Sequence, residues 1–263
     1  MRAINYSRRD LRMVLSLFEI ALRDRFLGST LGIFWAIANP LLMLGMFTFV
    51  FGYVFKAKLP GAETSLSYVI WLVSGYGPWL ALTESLSTST GSVVANRGLV
   101  KNLAFKHELL PIVGTLMGLV PLGVSLVFVL SLLAASGTAP SASWLVIPVI
   151  LVLQLVIVAG LGLFLAGLNV FVRDTALVLP NILFLALFAS PIFYPVTAFP
   201  QQVRSVVVWN PFYVLTEGYR LPLLEGRVPA AGSLVYLVVV ALATFGFGLV
   251  FFRRLDPHFD ARL

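Results

Sequence analysis

The feature that most constrains this chain is an uncharged run from Leu31 to Phe55, 25 residues long, containing Trp35 and Pro40. About 20 apolar residues suffice for a helix to cross the hydrocarbon core of a bilayer. Because lipid offers no hydrogen-bond partners, a spanning segment must satisfy its own backbone, which a helix does. The run is therefore predicted to be a membrane span. Arg23, Asp24 and Arg25 stand just before it, and a cationic flank stays on the cytoplasmic side. The orientation of the first span sets that of the rest.

The same pattern recurs along the chain. Further spans are predicted at 66–82, 109–135, 144–172, 176–194 and 234–252, giving six with the first at 31–55. Gly75, Gly77 and Pro78 interrupt the second span and Pro180 the fifth, while Gly114 and Gly118, four apart in the third, suit close helix approach. Residues 1–30 precede the spans. Within them Leu11, Val14, Leu15, Phe18 and Leu22 recur at helical spacing opposite Arg9, Arg12, Ser16, Glu19 and Arg23, which predicts an amphipathic helix lying at the membrane interface. Met1 to Arg25 has no continuous apolar core, so no cleavable signal peptide is expected. Lys56 to Ser65, with Pro60 and Gly61, reads as a short external loop, and 83–108 as a polar cytoplasmic one. Residues 195–232 are too polar and proline-rich to span, yet carry Val206, Val207, Trp209, Phe212 and Tyr213. Two short helices broken at Asn210-Pro211, half-buried as a re-entrant pair at the outer surface, fit that composition. The predicted fold is an all-α integral membrane protein, one transmembrane domain over residues 1–263.

Only 11% of the residues are charged and the mean hydropathy is +0.98, whereas soluble domains carry about 25% charged residues. The net charge of +7 does not indicate nucleic acid, because the basic residues lie in short segments between apolar runs. Their distribution tests the topology. Arg2, Arg8, Arg9, Arg12, Arg23, Arg25, Arg97, Lys101, Lys106, Arg173, Arg253, Arg254 and Arg262 fall on the side assigned to the cytoplasm. Lys56, Lys58, Arg204, Arg220 and Arg227 fall outside, thirteen against five. Both termini are thus expected in the cytoplasm.

The chemistry available is narrow. Cysteine is absent, and no G-x-x-x-x-G-K-[ST] phosphate loop or H-E-x-x-H zinc pattern occurs. No metal site, catalytic residue or cofactor is expected in this chain. His107 beside Glu108 reads as a solvated loop pair. None of the six runs contains a charge, which argues against a proton or sodium relay. Aromatic residues remain distinctive: Phe47, Phe51 and Phe55 recur four apart beside Phe49 and Tyr53, and Phe184, Phe188, Phe193 and Tyr194 cluster in the fifth run. They suit ordinary packing or lipid contact, and equally a stacking surface for sugar rings.

The string Arg25-Phe26-Leu27-Gly28-Ser29-Thr30-Leu31-Gly32-Ile33-Phe34-Trp35, followed by Asn39-Pro40-Leu41, resembles the [RK]-[YF]-x-x-S-x-L-G-x-x-W…P-L opening of the membrane permeases of polysaccharide ABC exporters. Asn169-Val170-Phe171-Val172-Arg173-Asp174, Ser190-Pro191-Ile192-Phe193-Tyr194-Pro195 and Asn210-Pro211 follow in that family's order. One landmark departs: Lys101-Asn102-Leu103-Ala104-Phe105 is followed by Lys106 where the family often has proline, although Leu110-Pro111 is retained. The resemblance implies a bacterial inner-membrane, multi-pass half-transporter that exports a lipid-linked glycan of the O-antigen, teichoic acid or capsule type. It implies a homodimer served by two copies of a separate ATPase that binds ATP and Mg. It also implies a coupling helix near Ser92 to Leu103, carrying Val93, Val94, Asn96, Arg97, Leu99, Val100 and Lys101. Trp209, Asn210, Pro211 and Tyr213 are then expected in an external gate, and Phe47, Phe51, Phe55, Phe188 and Tyr194 along the translocation path. The rival expectations are an ATP-independent secondary transporter or channel, and a non-transporting membrane scaffold.

Overall fold

The computed structural model describes residues 7–25, 29–56 and 65–263. The external loop expected at Lys56 to Ser65 lies almost wholly outside the described residues, as do Arg2, Lys58 and the Phe26, Leu27 and Gly28 of the opening string. Among the described residues the chain is all-helical, without strands.

Helix α1 (Arg8–Asp24) starts at a capping box, in which the Ser7 hydroxyl accepts from Asp10 N–H and the Asp10 carboxylate accepts from Ser7 N–H at 2.8 Å. Its apolar stripe is divided. Val14, with Met13, Leu17, Phe18 and Ala21 around it, packs on Leu109 and Val113, whereas Leu11 and Leu15 stay exposed. Such a helix is docked on one flank and presents apolar side chains on the other.

Helix α2 (Phe34–Phe47) runs through Pro40 and widens into a π-helical segment, Thr48–Val54. Helix α3 (Ser65–Ala95) follows, then the short α4 (Arg97–Asn102). Helix α5 (Leu109–Leu116) and α6 (Leu119–Ala135) form one apolar rod, joined by a tighter turn in which Met117 N–H bonds Gly114 C=O and Gly118 N–H bonds Thr115 C=O. Helix α7 (Ile147–Phe171) and α8 (Asp174–Ala189) come next, then the short α9 (Gln201–Val207) and α10 (Pro211–Arg220), and finally α11 (Ala231–Leu255). The two short helices expected around Asn210-Pro211 are therefore present.

Among the described residues four helices are long and apolar enough to cross a membrane: Phe34–Val54, Leu109–Ala135, Ala142–Phe171 and Ala231–His258. Helix α8 is apolar but has only 16 residues. Helix α3, at 31 residues, is about 46 Å long at 1.5 Å per residue.

Two boundaries differ from the expectation. The polar stretch from Thr83 onward, assigned to a loop beginning at 83, continues α3 to Ala95. Its hydroxyls do not compete with the helix. Thr83, Thr88, Thr90 and Ser92 donate to carbonyls three or four residues back, and Ser85 and Ser89 donate across to Thr115 and Pro111 carbonyls at 2.7 and 2.8 Å. The polar face is thus a helix–helix contact, and Gly114 and Gly118 make it possible. A Cβ on Gly114 would stand 2.6 Å from Ser89 Cα, and one on Gly118 2.4 Å from the Ala81 carbonyl oxygen. At the other boundary, α8 ends at Ala189, before the expected 194, because Pro191 forces Ser190 into an extended conformation. Helix α7 occupies the centre, paired most extensively with α11 and then with α3.

Candidate functional site

Two regions at opposite ends of the helices gather the residues singled out above. At one end, four consecutive residues after α8, Ser190 to Phe193, are held by three polar side chains. Asn210 caps α10 by accepting from Phe212 N–H and donates through Nδ2 to Ser190 Oγ, each at 2.9 Å. The buried Arg220 guanidinium donates to Pro191 C=O at 3.0 Å and Ile192 C=O at 2.8 Å. Tyr68 of α3 donates its hydroxyl to Phe193 C=O at 2.6 Å.

Arg220 also reaches back to α3, donating Nε to Trp71 C=O at 3.2 Å and stacking 3.6 Å over the Trp71 ring. Glu217, one turn earlier, supplies the counter-charge at 3.2 Å. Room for this side chain exists because position 75 is glycine: a Cβ there would stand 2.3 Å from Arg220 Nη2. A planar fork with five donors suits three carbonyls and a ring face better than a lysine ammonium does. Sequence reasoning placed Arg220 among the external charges. At 2% exposure the side chain is interior to the protein, a burial that the position of its segment does not reveal. The signal that pointed there was Gly75 together with Ser190-Pro191.

The aromatic residues meet at the same bend. Phe193 is the hub, its ring 5.0 Å from Phe47, 5.9 Å from Phe51, 5.7 Å from Tyr76 and 5.6 Å from Phe188. Phe47 and Phe51 therefore pack within one chain, half-buried, in offset and tilted contacts of the kind aromatic pairs prefer. Phe55 touches only Phe51 within this group and is exposed, and Tyr194 turns away to Phe199 while its hydroxyl donates to Phe188 C=O. Phe49 and Tyr53 stack on each other on the exposed face of the π segment. Trp209 is exposed, edge-on to Tyr236 of α11, and Tyr213 is half-buried.

At the opposite end, the residues assigned to coupling are shared between the end of α3, which carries Val93 and Val94, and α4 with its preceding Asn96, and burial divides them. Val93 and Val100 are buried in a cluster with Leu163, Val170, Phe252 and Phe259, and Val94 packs against it. Val93 and Val100 are thus interior to this chain, and Val94 is half-buried. A short helix at the end of a bundle has to bury one face, and in α4 that face carries Val100. Arg97 and Lys101 are exposed, Leu99 is half-exposed, and Asn96 donates back to Ser92 C=O at 2.8 Å.

The loop after α4 is tied down by three successive charges. Lys106 meets Asp10 of α1 at 2.8 Å, His107 meets Asp256 beyond α11 at 2.5 Å, and Glu108 meets Arg253 at 2.7 Å. The His107–Glu108 pair is therefore not a solvated pair, because each residue has its own partner and Glu108 is buried. The Asp256 carboxylate raises the His107 pKa above its ordinary value, against the opposing effect of burial. The Lys106 ammonium and Ser7 N–H hold Asp10 below the usual carboxylate range. Asn169, from another of the sequence landmarks, joins α7 to α3 by donating to Thr90 C=O at 3.0 Å, and accepts Ala176 N–H at the start of α8. No cluster of His, Cys, Asp and Glu suited to a metal occurs among the described residues.

A bundle of apolar helices with polar ties at both ends is the frame of a membrane protein, and residues 14–224 match the ABC-2 type transporter family. The chain belongs to that family. Among curated proteins it is 27% identical over 240 residues to an O-antigen export system permease protein RfbA of Klebsiella pneumoniae, covering 90% of each chain. It is 28% identical to the protein of the same name from Myxococcus xanthus, covering 88% of this chain and 87% of the relative. It is also 27% identical to the polysialic acid transport protein KpsM of Escherichia coli, over 90% of this chain and 91% of the relative.

Proposed function

We propose that this chain is the membrane permease subunit of an ATP-driven exporter that moves a lipid-linked polysaccharide out across the bacterial inner membrane. The observation that carries this reading is near-full-length similarity to relatives named for O-antigen export and polysialic acid transport. The absence of a phosphate loop in the sequence assigns ATP and Mg to a separate ATPase subunit.

Six spans follow if α3 and α8 join the four long apolar helices as a pair packed on one another and on α7. Both termini are then cytoplasmic, with α1 and α4 at the inner surface and α9 and α10 as the re-entrant outer pair. Arg97 and Lys101, with Leu99, form the face that receives the ATPase. The buried Val93 and Val100 and the helix-terminating Asn96 position that face. The three charges at 106–108 carry its displacement to α1 and α11.

Two copies of the chain pair through the apolar face of α2 and the π-helical segment after it, where Ile37, Leu41, Phe49 and Tyr53 are exposed. The glycan passes between them along the Phe47, Phe51, Phe55, Phe188 and Tyr194 surface, whose rings meet sugar faces without gripping one hydroxyl pattern. Trp209, Asn210, Pro211 and Tyr213 close the outer end.

The direct test is reconstitution in liposomes with and without a partner ATPase. Export that requires ATP and both subunits is expected, and flux through the permease alone identifies a secondary transporter or channel instead. A cysteine at Gly137 or Gln201 reacts with an impermeant reagent from outside and one at Asn96 does not. Phe47→Ala with Phe51→Ala lowers export at equal membrane abundance, and unchanged export assigns those rings to packing.

A further inference from the structure

Between the end of α1, the start of α2 and the middle of α3 lies a pocket of about 200 Å³ that the export reading leaves unused. Arg25, Trp35, Asn39 and Pro40, all from the string that opens the chain's resemblance, line it. Opposite them stands Glu84 of α3. The Arg25 guanidinium and the Glu84 carboxylate meet as a two-point pair, Nη1 to Oε1 and Nη2 to Oε2, the latter at 2.9 Å. Thr88 Oγ1 donates to the same Oε1 at 3.0 Å. Beyond this polar end the walls are apolar, formed by Met43, Leu80, Met117 and Val120.

We propose that this pocket binds a zwitterionic phospholipid of the phosphoethanolamine class, its phosphate on Arg25, its ammonium on Glu84, and the upper part of one acyl chain along the apolar wall. Three observations converge. The depth is right, because an interfacial helix ends and a tryptophan sits in the first turn of a span at this level, where headgroups lie. The size is right, because about 200 Å³ of free space far exceeds the about 10–15 Å³ that a single water needs, which leaves room for a headgroup. The charge is right, because the polar end holds one cation and one anion in contact. A purely anionic headgroup drawn to Arg25 would face the Glu84 carboxylate at close range, where like charges repel. A headgroup bearing both charges on a short linker replaces one ion pair by two.

The inference rests on the chain being a membrane protein and needs neither the ATPase nor the glycan. Its failure therefore leaves the export reading untouched. The full chain, stripped of lipid in detergent, is exchanged into mixed micelles holding equal amounts of phosphatidylethanolamine, phosphatidylglycerol and phosphatidylcholine. Bound lipids are then counted by native mass spectrometry. Phosphatidylethanolamine is expected to be enriched about fivefold over both others, the equivalent of one ion pair of about 1 kcal/mol. Phosphatidylcholine fails because its quaternary ammonium has no N–H to donate.

Glu84→Gln removes the preference over phosphatidylglycerol, and Arg25→Gln lowers retention of both. Ala36→Phe fills the pocket from α2 without touching the ion pair, and abolishes retention at an unchanged melting temperature. Equal or greater retention of phosphatidylglycerol overturns the proposal. So does retained preference in Glu84→Gln, or undiminished lipid in Ala36→Phe.

Discussion

Arg220 and Gly75 allow the packing of the bend after α8 to be tested as a coupled pair. Replacing Arg220 by alanine removes the donor to the Trp71, Pro191 and Ile192 carbonyls and the counter-charge of Glu217. These acceptors are backbone or remain charged, so they cannot be made apolar in compensation. The cost is that of breaking a buried pair, about 3–5 kcal/mol. Gly75→Ala acts from the other side. Its Cβ would lie 2.3 Å from Nη2 and 2.8 Å from Thr216 Cγ2. A guanidinium usually swings away from such a contact, but here its hydrogen bonds and the Trp71 ring pin it, so overpacking of about 1–3 kcal/mol is expected.

In the double variant the guanidinium that the added methyl would strike is gone. The costs should then fall short of additive by at least about 1 kcal/mol. Thermal unfolding in one detergent, followed by tryptophan fluorescence, measures all four corners of the cycle. Arg220→Lys recovers only a minor part of the loss, since an ammonium keeps the charge but not the fork or the stack. Additive costs, or a lysine variant as stable as the parent, refute the argument that the fork holds the bend to α3.

Three further outcomes follow from the packing. Gly118→Ala drives a methyl against the Ala81 carbonyl oxygen at 2.4 Å, and it lowers membrane abundance and melting temperature through a cost of about 1–3 kcal/mol. Reversing Arg97 and Lys101 to glutamate abolishes co-purification of the partner ATPase at unchanged melting temperature, whereas Val100→Asp, buried in the chain's own core, unfolds that end instead. The folded-state pKa of His107 is raised by Asp256. The stability it contributes is therefore fully present below about pH 6.5, the unfolded value, and is lost as pH rises through the folded value. The melting temperature falls accordingly from pH 6 to pH 8.5, and His107→Gln flattens that part of the profile.

The sequence alone determined that the chain lies in a membrane, that it is helical, and where its long apolar helices run. It did so because a bilayer demands runs of apolar residues of set length with internally satisfied backbone, a rule that needs no partner. Proline and asparagine gave the break at Asn210-Pro211 for the same local reason, and Gly114 with Gly118 marked a close helix contact.

The tertiary structure decided what local pattern leaves open. The serine and threonine stretch from Thr83 to Ala95 reads as loop by hydropathy, yet it is helix because its hydroxyls find carbonyls on α5 or within α3. Arg220 reads as one charge in a polar segment, and only the meeting of segments far apart in the chain supplies the carbonyls that let it be buried. Val93 and Val100 read as part of a coupling segment, and only the meeting of α5, α7 and α11 makes them interior. Hydropathy is a property of one residue. Burial of a polar or charged group depends on which distant partners arrive to satisfy it.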